Sequence, residues 1–263
     1  MTESRNKPFF GPGKVILLLL LGLLVYGVTL LALVPAGWLW QQASGHVQLL
    51  PQVRIQQVSG RLWRGAAGAM VAGFPVRLQW QMGWPSVSSL NLPIEFSVTS
   101  AESRVDGQAS VGWPDRVRLQ AKGLVTVAEF EPLIRQSGGA MIEGTVAIDR
   151  IEVAVADGQL QQADGFGRWD GGQVSWPMGN QTGQARFPPM QANLETTGGG
   201  VALSVSEQGG DGPAADANIL WNGMMELRVY KRMVDLAGQP WSDSAQPGDV
   251  VFRVRQPLLP GGR

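Results

Sequence analysis

The chain has no cysteine and one histidine, His46, in 263 residues. Without cysteine there is no disulfide framework, no thiolate nucleophile and no Cys-ligated zinc. A lone imidazole cannot build a His-based metal cluster and has no companion for a nucleophilic triad. It reads as a structural or surface histidine. Charge is scarce too. Charged residues make up 16% of the chain, against about 25% in ordinary soluble domains. The 21 basic and 21 acidic side chains cancel, which removes the basic footprint of a nucleic-acid binder. Gly171-Gly172 and Gly198-Gly199-Gly200 lack the Lys and Ser/Thr of a phosphate loop. Glu129 with Glu131, and Glu207 with Asp211, come nearest to paired-carboxylate chemistry. Solvated charge explains them better. No catalytic residue, cofactor site or metal ligand emerges, and the expectation is a non-enzymatic protein.

What the sequence does hold begins with one long uncharged run. Val15 to Val34 reads VILLLLLGLLVYGVTLLALV, 20 residues without a charge. At about 1.5 Å rise per residue it spans roughly 30 Å, the thickness of a bilayer core. Arg5, Lys7 and Lys14 precede it against one acid, Glu3, and no charge follows until Arg54. The positive-inside rule then puts residues 1–14 in the cytoplasm, a transmembrane helix at 15–34, and residues 35–263 on the far side. A cleaved signal peptide fits less well. Its apolar run is shorter and ends in a small-x-small site, which Ala32-Leu33-Val34-Pro35-Ala36 matches poorly. Trp38 and Trp40 follow at once, where indoles favour the headgroup layer, and Trp84 is a third candidate. Three of the 21 basic residues but only one of the acids precede the span. The far-side domain is therefore mildly acidic.

That domain reads as mainly β. Val76, Leu78, Trp80 and Met82 alternate with polar residues, as do Ile94, Phe96 and Val98. So do Val117, Leu119 and Ala121; Ile151, Val153 and Val155; and Val250, Phe252 and Val254. Period-two alternation with frequent Gly and Pro punctuation predicts an antiparallel sheet with one apolar face. Val127 to Gln136 predicts a short helix, cut back by Pro132 to a start near Glu131, with Ser137-Gly138-Gly139 as its stop. Asn222 to Leu236 predicts a strand followed by a short helix. Asp164 to Pro189 reads as loop around a short strand at Val174-Ser175-Trp176, Glu207 to Pro213 as a turn, and Leu259 to Arg263 as a loose tail. The expected architecture is one transmembrane helix and then an antiparallel β-domain with one or two short helices. That domain is either single or made of two similar β-subdomains dividing near 125–140.

Two corners stand out as partner-docking sites or structural turns. The first is Gly60, Leu62, Trp63 and Gly65 in SGRLWRG; the second, Gly165, Trp169 and Gly171, echoes its Trp-x-Gly. Glycine allows positive φ or close backbone approach beside each indole. The remaining tryptophans read as core or sheet-edge plugs, with an aromatic binding groove as the alternative.

The basic N-terminus, the single span, Leu33-Val34-Pro35-Ala36-Gly37-Trp38-Leu39 and the Ser-Gly-x-Leu-Trp-x-Gly corner at Ser59 to Gly65 together resemble the type II secretion system protein N family. So do Leu78-x-Trp80, Ile142-Glu143-Gly144-Thr145-Val146 and the Gly165 to Trp176 segment. The resemblance implies a non-enzymatic, single-pass inner-membrane accessory or scaffold component, with its C-terminal domain in the periplasm. Such a component supports export of folded periplasmic proteins across the outer membrane. The implied partners are inner-membrane proteins C, L and M of such systems and the outer-membrane secretin. The resemblance carries no cofactor and no catalytic residue. A second reading, a β-groove that binds or passes lipid or another hydrophobic ligand, would require a continuous apolar trough.

Overall fold

The computed structural model describes residues 21–23, 26–27, 29, 33–45, 53–71, 73–86, 91–136, 140–178, 181–221 and 223–257. His46, residues 1–14, the Ser137-Gly138-Gly139 stop and the C-terminal tail lie outside them, as does most of the 15–34 stretch. Of the described positions of that stretch, 21–23, 26–27, 29 and 33 are helical and Val34 is not. No helix among the described residues is long and apolar enough to cross a membrane.

After a short helix α1 (Ala36–Ala43) come six successive strands: β1 (Val53–Arg61), β2 (Arg64–Val71), β3 (Phe74–Met82), β4 (Asn91–Thr99), β5 (Arg104–Gly112) and β6 (Arg116–Thr126). A 3-10 turn at Val127–Phe130 leads into α2 (Glu131–Gln136) and a two-residue strand β7 (Met141–Ile142). Next are β8 (Thr145–Ala156), β9 (Gln159–Trp169), β10 (Gly172–Met178) and β11 (Gln181–Phe187). The chain continues through β12 (Met190–Thr197), β13 (Gly200–Glu207), β14 (Pro213–Leu220) and β15 (Met224–Tyr230), then α3 (Lys231–Leu236) and β16 (Val250–Pro257).

Among the described residues, thirteen of these strands form one antiparallel meander in the order β1-β2-β3-β4-β5-β6-β8-β9-β12-β13-β14-β15-β16. A small second sheet, β11-β10-β7, is spliced in between β6 and β12. Of the two arrangements left open by the sequence, the structure has the single continuous sheet: β6 pairs with β8 across the 125–140 region. The strands expected from alternation are β3, β4, β6, β8 and β16. The helix after Pro132 and the strand-then-helix at 222–236 are also present. Asp164 to Pro189 departs from its loop reading, since β9, β10 and β11 occupy most of it. Their Gly, Gln and Thr residues give little apolar periodicity, but cross-strand pairing holds them extended.

Register separates the two faces. Gln79 lies opposite Ser97, Ser97 opposite Asp106, and Asp106 opposite Lys122. One residue along, Leu78 lies opposite Val98 and Val98 opposite Val105. One face is thus polar and the other apolar across the strands, as a period of two requires.

Antiparallel pairing throughout also sends alternate connections to opposite ends. The β1–β2, β3–β4, β5–β6, β8–β9, β12–β13 and β14–β15 connections share one end, and all but the eight-residue β3–β4 connection are turns of two or three residues. Every inserted element sits at the other. There Trp169, Phe187, Met190 and Ala214 form the buried cluster, covered by Ile142, Val174, Trp176, Met233 and Leu236 from the small sheet and α3. Phe130 of the 3-10 turn meets Phe74 edge-on at 5.6 Å. Glu129, the nearer of the sequence's acid pairs, docks that turn. Its carboxylate accepts from Ser100 and Ser103 hydroxyls and the Ala101 amide, each at 2.7 Å. Desolvation works against the charged form, but hydrogen bonds from Ser103, Ser100, Ala101 and Glu102 outweigh it and hold the carboxyl below its ordinary value. The capped end is a packed layer; the short-turn end has no second layer among the described residues.

Candidate interaction site

The SGRLWRG corner is the β1–β2 hairpin turn. Arg61 pairs with Arg64, leaving Leu62 and Trp63 as the two turn residues. Gly60 sits at φ +89°, where a Cβ would lie 2.6 Å from the Arg64 carbonyl oxygen. Gly65 has no room for a Cβ because the Trp80 ring lies flat over it. The Trp80 Nε1–H donates to the Leu62 carbonyl at 2.9 Å, and the Met82 amide donates to the Trp63 carbonyl at 2.7 Å. Trp80, which the sequence offered as a strand residue and in the Leu78-x-Trp80 motif, is therefore the ring that locks the corner. Trp63 is half-buried and stacks on Trp84 at 6.4 Å, and Trp84 is 87% exposed.

The same corner holds the end of the N-terminal apolar run. The Leu62 amide donates to the Val34 carbonyl at 3.1 Å, and Pro35 bridges to Arg61. Helix α1 then lies along β1, where Gly37 would put a Cβ 3.0 Å from the Val58 carbonyl oxygen. Ala36 is buried in that contact, Trp40 is half-buried and Trp38 is 54% exposed.

The second corner is built differently. Trp169 ends β9 at the capped end and is buried, with its Nε1–H donating to the Glu143 carbonyl at 2.7 Å. Gly165 lies on the same strand. Gly171, at φ +82°, turns the chain towards β10, and a Cβ there would meet the Phe187 carbonyl oxygen at 2.7 Å. The echo in sequence thus joins an exposed turn at one end to a packing seam at the other. The two do not mark repeated subdomains.

The polar face carries a trough of about 740 Å³ across β2 to β8. Arg64, Gln79, Gln81, Glu95, Asp106, Lys122, Arg150 and Glu152 line it. Several of these charges are already engaged. Arg104 holds Asp106 at 2.8 Å, and its hydrogen bond followed by that of Ser97 keeps this carboxyl below its usual value. Asp149, also at the trough, accepts from Arg168 Nε and Nη2, which lowers the carboxyl and raises the guanidinium. Ala66, Trp80, Phe96 and Ala121 line the trough as well, so its walls are mixed, not the continuous apolar surface that a lipid groove would require. On the apolar face Leu78, Val111 and Val117 are 37–43% exposed.

Near the far edge, Asp216 is buried and gathers Arg228 Nε at 2.8 Å, Asn218 Nδ2 at 3.3 Å and the Tyr230 hydroxyl. Burial first, and the bond to Asp216 second, push the Tyr230 hydroxyl above its ordinary pKa. Among the described residues β16 pairs only with β15, so its outer backbone edge is open, with Phe252 54% exposed. No group of three or more His, Cys, Asp or Glu among the described residues could hold a metal ion.

One further signal was present in the sequence and passed over. Gly83-Trp84-Pro85 and Gly112-Trp113-Pro114 are the same tripeptide. Both fall at the short-turn end, and Trp113 is 75% exposed.

No match exists among curated proteins or among solved structures. The family model for type II secretion system protein N matches residues 51–242, from the start of β1 to beyond α3. The chain belongs to the type II secretion system protein N family and is a component of that secretion system.

Proposed function

We propose that the chain is a non-enzymatic scaffold subunit, anchored in the inner membrane by residues 15–34 with its β-domain in the periplasm. It supports export of folded proteins across the outer membrane. The observation that carries this reading is the sheet's open edge at β16. Among the described residues, the outward-facing backbone groups of this eight-residue strand have no partner strand, which makes it a template for one, and β-augmentation gives affinity from main-chain hydrogen bonds. The opposite edge is obstructed, because α1 lies against β1. Candidate partners are the inner-membrane proteins C, L and M, and then the secretin. The uncharged 20-residue run, its preceding basic residues and the helical conformation of its described positions up to Leu33 support the anchor.

The test is photocrosslinking in cells with probes at Phe252 and Arg255, followed by mass spectrometry of the adducts. Adducts to inner-membrane secretion subunits are expected. Secretion that depends on the chain while edge probes capture no protein would sink the scaffold reading.

The half-exposed apolar face favours one alternative, a module that handles lipid or another hydrophobic ligand. Against it, the trough opens on the polar face. Native mass spectrometry of the purified chain decides: co-purified lipid supports the alternative, and none removes it.

A further inference from the structure

We infer that the short-turn end of β1 to β5 is a membrane foot, with Trp63, Trp84 and Trp113 seated in the headgroup layer of a phospholipid bilayer. This rests on the anchored reading of residues 15–34.

Three independent observations converge on this end. The first is where the apolar run stops. Val34 is its last residue, and the Val34 carbonyl is hydrogen-bonded to Leu62, so the β1–β2 turn is tied to the point where a spanning helix would leave the bilayer. The second is the aromatic content of the turns. Trp63 occupies the β1–β2 turn, Trp84 the β3–β4 connection and Trp113 the β5–β6 turn. Asn91 bridges to Ser86 on one side and pairs with Gly112 on the other, so the two Gly-Trp-Pro tips flank one strand. At about 4.8 Å per strand they stand roughly 10 Å apart. Exposures of 87% and 75% are far beyond what an indole in water favours; at a lipid interface the ring is buried and its N–H stays wet. The third is charge. Arg61 and Arg64 flank Trp63, both exposed, which suits anionic headgroups; at the β5–β6 turn Asp115 offsets Arg116.

Water-facing indoles therefore have a single occupant that the chain itself delivers to them. The SGRLWRG corner, singled out as a partner-docking site or structural turn, becomes the hinge point between anchor and sheet. The strands then rise from the membrane, with the capped end and Trp241 held roughly 20 Å or more above it, given about 3.3 Å per strand residue.

The absence of cysteine makes the test clean, since any introduced thiol is unique. Full-length chains carrying Leu23→Cys, Trp84→Cys, Trp113→Cys or Trp241→Cys are labelled with a small fluorophore. They are placed in vesicles of phosphatidylcholine with a minority of phosphatidylglycerol, and a quencher is carried near the headgroup end of the acyl chains. Labels at 84 and 113 should lose most of their emission, and the label at 241 almost none. Quenching at 84 and 113 no greater than at 241 overturns the foot. The label at 23 separates the two claims. Quenched at 23 but not at 84 and 113, the anchor stands and the foot falls. Unquenched at 23 but quenched at 84 and 113, the foot stands without the anchor. Unquenched at all three, both fall.

Discussion

Trp169→Ala should be the most damaging single substitution among the tryptophans. Trp169 is 8% exposed and lies in the cluster with Phe187, Met190 and Ala214. Truncating a buried Trp removes its transfer free energy and leaves a cavity, together about 3–5 kcal/mol. The lost Nε1–H bond to Glu143 ties β9 to the segment after β7, so the small sheet should loosen along with the core. Against a total of roughly 5–15 kcal/mol, that is a large share of the stability. At about 2–4 °C per kcal/mol for a domain of this size, the melting temperature should drop by roughly 6–20 °C. Trp84→Ala is the matched control. Its ring is 87% exposed and its one aromatic neighbour is Trp63. The loss there should be at most about 1 kcal/mol, the worth of a stacked pair. Both variants are read by circular dichroism melts of the full chain in one detergent. A Trp169→Ala drop no larger than that of Trp84→Ala would refute the placement of the core at the capped end.

Gly60→Ala should cost about 1–3 kcal/mol, because φ +89° and the Arg64 carbonyl both oppose a Cβ; Gly73→Ala, also at positive φ but with open space around it, should cost less in the same melt. Asp216→Ala strands the Arg228 guanidinium and the Tyr230 hydroxyl and should cost about 2–3 kcal/mol, whereas Tyr230→Phe removes one bond and should cost about 1 kcal/mol by urea titration. For Glu129 the folded carboxyl is below its ordinary value of 4.5. Its stabilisation is therefore complete above that value and is lost as pH falls through the lowered folded one. Glu129→Gln should flatten this acid limb of a melting-temperature profile; an unchanged limb would exclude the Ser100–Ser103 dock as its source. Replacing residues 1–34 with a cleaved signal peptide should abolish secretion at equal abundance, measured as substrate in the medium.

The sequence carried the strands whose apolar residues are large. β3, β4, β6, β8 and β16 alternate Val, Leu, Ile, Phe or Trp with polar residues, and the sheet needs that contrast between its faces. β2 and β5 carry the same alternation in Ala, Gly and Val, where the contrast is faint. Their small residues have a partner elsewhere: the Phe96 ring lies over Gly107 and the Trp80 ring over Gly65. Bulk missing from one strand is supplied by the next, so pattern reading within a single strand cannot find it. The corners failed for a related reason. Trp63 drew attention because glycines surround it, yet the indole that fills the space left by Gly65 is Trp80, 15 residues downstream and set by register. Trp169 meets Glu143, 26 residues back, through the same long-range pairing. What was legible and missed was the repeated Gly-Trp-Pro, a local signal that needed no structure.

The two edges of the sheet bear on how such a subunit could be recruited. At β1, a bulge between Ile55 and Gln57 breaks the pairing row, and α1 covers the Val58 carbonyl. Bulges and covering helices are the devices that stop an edge from recruiting strangers. At β16 neither lies on the outer side, but the strand sets its own condition. Arg253 and Arg255 share the polar face, with Arg253 3.4 Å from Glu226. If two copies met antiparallel with the symmetry axis at 253, 254 or 255, an arginine would stand opposite an arginine, and like charges directly opposed destabilise a sheet. A strand that places acids opposite Arg253 and Arg255 and apolar residues opposite Phe252 and Val254 meets no such penalty. On the scaffold reading, the open edge thus disfavours a second copy in those registers and favours an acidic partner strand. The recruited strand would extend the same polar face that already holds the trough.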